Sequence, residues 1–346
     1  MPPENERPAS RRHLGVDDLR DVARAAFGTR GLVSAERLRG GTKKGVYRLR
    51  SADGASAIAY VWHPDEDFWP DAPGDPEDPF RHASGLGLFE DAHARLTAVG
   101  VRVPRLLLRE PGGRLGDVAV VEDVRGGTLE RLIARDPRRA EAVLARLGTA
   151  VRAMHAAATT DPARHDGVEH VVLRRALAHL AEAAARVDRI ADAAERLADL
   201  LRSRHAAVVP RSRFGLVHGE LGPDHVLVDA DLDEPVLIDI EGVMAFDVEW
   251  EHAFLELRFG PHYHHFADPA LDPARLGLYR LACHLSLVAG PLRLLDGDFP
   301  DRAGMVEIVE QNVRRALGQL SGNAADATRR RGVAPAVPVD ADREGQ

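Results

Sequence analysis

The pattern of hydrophobic and polar positions divides the chain into a mixed first part and a helical second part. Residues 16–27 place apolar side chains at helical spacing behind an acidic first turn, which suits the positive end of the helix dipole. Residues 86–99 return to this spacing, with Leu88, Phe89, Ala92 and Leu96 on one face. We therefore predict two helices in the first 120 residues, and the second is the main one.

The segments around these helices have the composition of β-strands. Residues 34–62 consist of strand-like pieces separated by glycine turns and by the Asp53-Gly54 pair, which is a strong hairpin signal. Residues 103–110 and 118–124 are apolar runs of strand length. The first part of the chain is therefore predicted to be an antiparallel sheet with one main helix.

Beyond Gly127 the pattern becomes mostly helical, with one hairpin embedded in it. Residues 225–229 and 236–240 are rich in branched side chains, and the six residues between them have turn chemistry. Antiparallel pairing would bring the loop that starts at Glu220 to the same edge as Asp239. The predicted helical segments are residues 128–135, 138–157 and 171–207, and residues 246–320 with a break at 261–273.

The order of these segments predicts a two-lobed α+β protein. The sheet part is expected to form an N-terminal lobe at residues 15–122, and the helical part a C-terminal lobe at residues 123–320. Residues 1–14 and 321–346 are polar, charged or rich in alanine and proline, so we predict two disordered tails.

Composition narrows the class of protein. The chain has 346 residues, a formal net charge of -8 and no long block of like charge, which argues against nucleic acid as the main partner. The single cysteine, Cys283, excludes an intramolecular disulfide framework and a four-cysteine zinc site. The opening residues lack a signal-peptide core, and no apolar run approaches the ~18 residues of a membrane span. We therefore expect a cytoplasmic protein that does not enter a membrane, with its oligomeric state left open.

The acids near the hairpin indicate a metal site. Asp239 interrupts an apolar run, and an unpaired buried carboxylate costs several kcal/mol, so it requires a partner or a metal ion. Magnesium prefers one or two carboxylates together with phosphate oxygens and water, which Asp239 and a nucleotide could supply. Glu220 would then be free to act as a base or to orient a hydroxyl group. The hairpin acids Asp231, Asp233 and Glu234 are expected to be a solvated turn.

The same residues resemble the motifs of a known family. His218-Gly219-Glu220, then His225, then Ile238-Asp239 with Glu241, is similar to the HGD, N and IDxx motifs of the aminoglycoside phosphotransferase family. These are kinase-like enzymes that phosphorylate antibiotics and other small alcohols. The resemblance extends over about residues 25–315 and implies a bilobed protein-kinase-like fold with a nucleotide-binding N-terminal lobe.

The resemblance also implies roles for individual residues. Glu220 stands at the position of the catalytic aspartate, His225 at that of the metal-binding asparagine and Asp239 at that of the principal metal-binding aspartate. His218 is expected to shape the catalytic loop. Glu220 extends the carboxylate by one methylene, and a displacement of about 1 Å can cost on the order of a hundredfold in rate. An imidazole at 225 could accommodate Mn²⁺, or bind phosphate when protonated.

A segment farther along is similar to another family motif. Residues 246–252 place Asp247 and Glu251 at the two acids of that motif. We interpret Asp247 as a structural cap or loop anchor instead of a metal ligand.

A glycine-rich turn is the candidate phosphate-binding loop. Gly41 and Gly45 would let the backbone approach phosphates, and Lys43 and Lys44 bring positive charge; an ordinary hairpin is the alternative. The loop is not a Walker A motif. The lysine that kinases place on the following strand is absent from residues 57–62, so we hypothesise that Lys43 or Lys44 replaces it.

Two further positions are assigned to the nucleotide by the resemblance. Glu90 matches the helix glutamate that pairs with the kinase lysine, although a solvated surface acid is an equal alternative. The segment Glu122, Asp123 and Val124 resembles the connector between lobes, whose backbone would bind the edge of the base. Three histidines, His262, His264 and His265, suggest a metal site, but they lack the i, i+4 spacing of a helical pair, and we interpret them as part of a mobile substrate-side loop.

The expected function is transfer of the γ-phosphate of ATP or GTP to a hydroxyl group of a small molecule, with Mg²⁺ or Mn²⁺ as cofactor. The acceptor would be an aminoglycoside-like antibiotic or a metabolite, and the sequence does not choose between them. A catalytically impaired pseudokinase that regulates by binding a nucleotide or metabolite is the alternative. A metal-dependent hydrolase that uses the same acids is a third, weaker interpretation.

Overall fold

A computed structural model describes residues 11–70, Phe80, 84–157, 167–211 and 214–332, with side chains described as far as residue 321. Most of the two predicted tails lies outside these residues. The final helix nevertheless continues to Gly332, beyond the position where we predict that the C-terminal tail begins.

The first part of the chain forms the predicted antiparallel sheet. Its five strands are arranged in the order β1-β2-β3-β5-β4, and each pair of neighbours is antiparallel. This confirms the expected sheet lobe. The elements are α1 (Val16–Phe27), β1 (Leu32–Arg37), β2 (Gly45–Ser51), β3 (Ser56–Trp62), α2 (Leu86–Ala98), β4 (Leu106–Gly113) and β5 (Gly116–Glu122).

The central strand β3 explains how this lobe is covered on both faces. Alternate residues Ala57, Ala59 and Val61 face α1 in one apolar cluster, while Tyr60 and Trp62 face α2 in another. Side chains alternate across a strand, so a continuously apolar strand is buried on both sides. The two helices α1 and α2 thus pack on opposite faces of the same sheet.

The second part is mostly helical, as predicted, and contains the expected hairpin. Strands β7 and β8 pair antiparallel, with Leu227 opposite Val236. The long helical segment predicted at 171–207 is divided into three helices. The elements are α3 (Leu129–Arg135), α4 (Pro137–Ala156), α5 (Val168–Ala184), α6 (Asp188–Ala191), α7 (Ala194–Ala206), β6 (Gly215–Val217), β7 (Val226–Val228), β8 (Pro235–Leu237), β9 (Met244–Phe246), α8 (Val248–Phe259), α9 (Pro273–Asp296) and α10 (Arg302–Gly332).

A small ladder that we did not predict frames the hairpin. Strands β6 and β9, three residues each, pair antiparallel and lie just before and just after the hairpin region in sequence. The loop that begins at His218 leaves β6, and the segment that contains Asp239 leads into β9. Both segments are therefore fixed at the same end of this ladder.

The two lobes pack against each other. One apolar cluster includes Tyr60 of the sheet together with Val226, Leu237 and Ile240 around the hairpin. The N–H of Leu237 also donates to the carbonyl oxygen of Arg102 at 2.9 Å. The hairpin is therefore held directly under the sheet lobe. Among the helices of the described residues, none has the length and apolar character needed to cross a membrane.

Candidate active site

The loop after β6 is held in place by one buried carboxylate. Glu251, in the first turn of α8, accepts backbone N–H groups from His218, from Gly219 at 3.1 Å and from Leu221 at 3.3 Å. Trp250 adds a bond from its indole N–H to the carbonyl oxygen of Gly219 at 3.0 Å. Gly219 has a φ of +98°, a conformation that side chains disfavour. The shape of the loop is therefore fixed by α8 before any ligand binds.

Asp239 occupies a strained position at the end of the hairpin. Its φ of +59° lies in the left-handed region, which is uncommon for residues other than glycine. Such strain is found where the surroundings fix a functional side chain. The Asp239 side chain is 53% exposed, so its carboxylate is accessible to a ligand.

Lys44 of the glycine-rich loop reaches across to this carboxylate. Its ammonium group donates to Asp239 Oδ1 at 2.8 Å and also to Glu241, and it lies 5.2 Å from the centre of the Tyr60 ring. Burial alone would lower the pKa of Lys44, but Asp239 and Glu241 raise it above its ordinary value. In turn, the Lys44 charge lowers the pKa of Asp239. Both groups are therefore charged at neutral pH.

Glu220 and His225 lie beside Asp239. Loss of hydration raises the pKa of the Glu220 carboxyl, and Asp239 adds to this effect, although Glu220 is solvent-accessible. The Nδ1–H of His225 donates to the carbonyl oxygen of Glu220 at 3.0 Å, so Nε2 faces outward. That Nε2 atom lies 3.8 Å from Asp239 Oδ2 and 3.8 Å from Asp224 Oδ2.

His218 connects the loop to the hairpin. Its Nε2–H donates to the carbonyl oxygen of Ile238 at 3.0 Å, and its ring stacks on His225 with 5.8 Å between centroids. Burial lowers the pKa of His218, which keeps the ring neutral. Among the described residues, its buried Nδ1 has no hydrogen-bond partner. His218 thus links the loop to the hairpin through its bond to Ile238.

The glycine-rich loop requires its glycines for steric reasons. A Cβ on Gly41 would lie 2.4 Å from the carbonyl oxygen of Lys44, and a Cβ on Gly45 would lie 2.6 Å from the Tyr47 ring. The Lys43 ammonium lies 5.7 Å from the centre of the Trp69 ring. Gly41, Lys43, Lys44 and Gly45 are therefore brought together; the Lys44 ammonium bonds directly to Asp239, and the Lys43 charge also acts on Glu220 and Asp239.

The other residues predicted to contact the nucleotide have protein partners. Glu90 pairs with Arg109 at 2.7 Å, so the structure does not bring Glu90 to either loop lysine. Glu122 accepts the N–H of Arg105 at 3.3 Å, and Asp123 pairs with Arg48 at 3.0 Å. Val124 is buried. The connector thus has its acidic side chains engaged within the protein, and a base there would meet its backbone.

Glu241 is the site residue that sequence reasoning did not assign. It is 7% exposed and shares Lys44 with Asp239. It takes the place that we expected for Glu90 as the partner of the lysine. The sequence held one signal for it, since Glu241 follows Asp239 by two positions within an otherwise apolar stretch.

Asp247 has a structural role. It is fully buried and accepts hydrogen bonds from Arg275 and from the Tyr279 hydroxyl. Its side chain makes no bond that caps α8. We considered a helix cap and a loop anchor for Asp247, and these contacts support the loop anchor.

The site fits a metal ion that is bound jointly by protein and nucleotide. Asp239 Oδ2 and His225 Nε2 lie 3.8 Å apart, somewhat more than the roughly 3 Å between adjacent ligands of an octahedral Mg²⁺. Among the described residues, no third acid or histidine joins them closely enough to complete a protein-only site. Magnesium commonly takes one or two protein ligands and completes its shell with phosphate oxygens and water. The residues present are therefore compatible with such an ion.

Comparisons with known proteins show the family and the fold of the chain. A sequence model of the phosphotransferase enzyme family matches residues 35–261, which is more than half of the chain. A spectinomycin phosphotransferase in complex with ADP and spectinomycin superposes with a TM-score of 0.63 at 13% identity, covering 89% of this chain and 98% of that chain. A thermostable aminoglycoside phosphotransferase without ligand gives 0.60 at 17% identity, with 86% and 99% covered. A ternary complex of a variant of the latter with ADP and hygromycin B gives 0.57 at 16% identity, with 86% and 98% covered. No curated protein matches the sequence significantly.

Proposed function

This chain belongs to the phosphotransferase enzyme family, and we propose that it transfers the γ-phosphate of ATP or GTP to a hydroxyl group of a small molecule. The observation that carries the proposal is the meeting of Lys44, from the sheet lobe, with Asp239 beside Glu220 and His225. Phosphoryl transfer depends mainly on positioning and on neutralising charge, and these are the groups that it requires.

The Asp239 carboxylate is suited to hold a metal ion. The Lys44 charge lowers its pKa, so it stays deprotonated throughout the neutral range. Together with His225 it would hold Mg²⁺ or Mn²⁺, which would neutralise charge on the phosphate oxygens when bound.

Glu220 is suited to receive or orient the acceptor hydroxyl. The pKa of its carboxyl is raised by loss of hydration, which moves it toward the pH at which the protein works. The backbone N–H groups of its neighbours Gly219 and Leu221 donate to Glu251, so the position of the Glu220 backbone is fixed. A glutamate anchored in this way would compensate for its extra methylene through the placement of the loop.

Lys44 is the proposed phosphate ligand. An ammonium group has three N–H donors, and two of them bond to Asp239 and Glu241. The third would be available to a phosphate oxygen. Kinases hold their phosphate lysine with a helix glutamate, and we propose that the pair Lys44 and Glu241 performs this task here.

The base is proposed to lie against the connector. The side chains of Glu122 and Asp123 are engaged with Arg105 and Arg48, which leaves the backbone near Val124 as the recognition surface. The spectinomycin phosphotransferase and hygromycin-bound relatives were captured with ADP, which supports a nucleotide as co-substrate. Those relatives also support a hydroxylated acceptor, such as an aminoglycoside-like compound or a metabolite.

One observation favours a second candidate, a nucleotide-binding or metabolite-binding regulator with impaired catalysis. Lys44 is bonded directly to Asp239, and a metal ion must share that carboxylate with the ammonium group. With Glu220 and His225 at the two other catalytic positions, the chain could bind a nucleotide without turning it over.

Transfer can be tested with a panel of acceptors. The purified chain would be incubated with ATP or GTP, Mg²⁺ or Mn²⁺, and aminoglycosides or small polyols, and mass spectrometry would detect the added phosphoryl group. Asp239→Asn should abolish transfer, whereas Asp231→Asn, at the exposed end of the same hairpin, should not. Nucleotide binding without transfer to any acceptor, unchanged by Glu220→Asp, would refute the enzyme and favour the regulator.

A further inference from the structure

Three histidines meet a glutamate from another helix, and none of these four residues is among those proposed for phosphoryl transfer. Glu141 lies on α4, and His262, His264 and His265 lie on the 3-10 helix that follows α8. His265 Nε2 lies 2.9 Å from Glu141 Oε2, and His262 Nδ1 lies 3.6 Å from Glu141 Oε1. Ligand atoms from Glu141, His264 and His265 all lie within 4.8 Å of one another.

The 3-10 conformation explains why two of the histidines face Glu141. In a 3-10 helix the side chains at i and i+3 eclipse one another, so His262 and His265 lie on one edge. His264 joins them through its ring, which lies 4.1 Å from the His265 ring between centroids. The i, i+4 spacing that an α-helical pair requires is therefore not needed here. Our interpretation of a mobile loop did not anticipate this ordered turn.

The turn is fastened to the protein on its inner side. The carbonyl oxygen of His265 accepts a hydrogen bond from Arg152 at 3.1 Å. It also packs closely on Gly148, where a Cβ would be only 2.4 Å from this oxygen. Phe266 is buried, and the Tyr263 hydroxyl bonds to His252 at 3.0 Å. The scaffold is thus preorganised, with histidine side chains facing Glu141.

The ring of His264 is oriented as a ligand. Its Nδ1–H donates to the carbonyl oxygen of Pro261 at 2.9 Å, which directs the lone pair of Nε2 outward. Ligating histidines usually donate their other ring N–H to a carbonyl or carboxylate in this way. Ligand atoms at about 2.0–2.1 Å from a tetrahedral ion lie roughly 3.4 Å from one another. The ligand atoms of Glu141, His264 and His265 lie within 4.8 Å of one another, so rotation of the side chains would close the difference.

We propose that Glu141, His264 and His265 form a binding site for a divalent transition metal ion, with water completing the shell. Two imidazoles and one carboxylate suit Zn²⁺, whereas Mg²⁺ prefers oxygen ligands. The bound ion would join the 3-10 helix to α4. This site shares no residue with the proposed nucleotide site, so the proposal does not depend on the proposed function.

Zinc binding to the untagged full chain tests the site. In an Asp239→Asn/His225→Ala background, which removes the other candidate ligands, calorimetry should show one Zn²⁺ per chain. Adding His264→Ala and His265→Ala should remove this binding, together with a Zn²⁺-induced rise in Tm of about 5 °C. Mg²⁺ at the same concentration should produce neither effect.

A matched control removes two histidines elsewhere. His170 and His205 also form a ring pair, 4.5 Å between centroids, and His170→Ala/His205→Ala in the same background should retain the ion. The proposal is overturned if the background chain takes up no Zn²⁺. It is equally overturned if the control variant loses the ion as readily as the His264/His265 variant does.

Discussion

Replacing Lys44 with methionine tests whether this residue has taken over the role of the missing strand lysine. The ammonium group is 2.8 Å from Asp239 and bonded to Glu241, and its third N–H is the proposed phosphate donor. A hydrogen bond between charged groups contributes about 1.5–3 kcal/mol. Lys44→Met should therefore weaken ATP binding by about 10- to 150-fold. Calorimetric titration with ATP and Mg²⁺, without an acceptor, would measure the change in Kd.

Lys43→Met is the matched control, because Lys43 is the adjacent residue on the same loop and lies against Trp69. A partly exposed charge contributes about 1 kcal/mol or less, so the loss of the Lys43 ammonium group should change the Kd for ATP by less than about fivefold. The reasoning is refuted if Lys44→Met binds ATP normally, or if Lys43→Met is the variant that loses affinity.

Stability must be separated from binding in this experiment. Lys44→Met alone leaves the buried Glu241 carboxylate without its cation, and the free energy of unfolding should fall by roughly 1–3 kcal/mol in urea denaturation. The double variant Lys44→Met/Glu241→Gln removes the unpaired charge and should regain most of that stability. ATP affinity should stay low in the double variant. Recovery of affinity together with stability would show that Lys44 acts only through the fold.

Four other variants test the neighbouring groups. The raised pKa of Glu220 predicts that kcat falls as the pH drops through that pKa, so the acidic limb of the pH profile of kcat should lie above the ordinary glutamate pKa of about 4.3. Glu220→Gln should remove this limb and lower kcat at least about a hundredfold. An unchanged pH profile in this variant would contradict the assignment. Glu251→Gln should lower the free energy of unfolding by about 2 kcal/mol or more in urea, because a carboxylate that accepts three N–H groups is replaced by a weaker acceptor, and an unchanged stability would contradict this account. Asp239→Gly and Asp239→Ala both lose transfer and the ion pair with Lys44, but only glycine relieves the positive φ, so the glycine variant should have the higher Tm by a few degrees, and equal Tm values would argue against strain at this residue.

Local patterns in the sequence were sufficient to predict the main elements. The strand-like composition of β3, the helical spacing of α2 and the turn chemistry between β7 and β8 are properties of short windows, and the structure confirms all three elements. The short β6 and β9 strands were missed, because three residues carry too little pattern to be recognised.

Side-chain partners between the lobes were harder to predict. Lys44 and Asp239 are separated by 195 positions, and nothing in either local sequence specifies that they bond. Glu90 was assigned to the lysine by its position on α2, but in the structure it pairs with Arg109 on β4 at 2.7 Å. The choice of Glu241 over Glu90 depends on how the glycine-rich loop folds across the hairpin, which only the three-dimensional arrangement reveals.

The attachment of the loop after β6 to α8 through Glu251 has a mechanical consequence. Since one carboxylate holds three positions of the loop, a small rotation of α8 would carry the loop with it and re-aim the Glu220 carboxylate. The far end of α8 continues into the histidine-bearing turn. The last turn of α8 also contacts the loop after β6, where Arg258 pairs with Asp224, so a molecule bound at the histidine-bearing turn would shift both attachments of the loop and with them the Glu220 carboxylate.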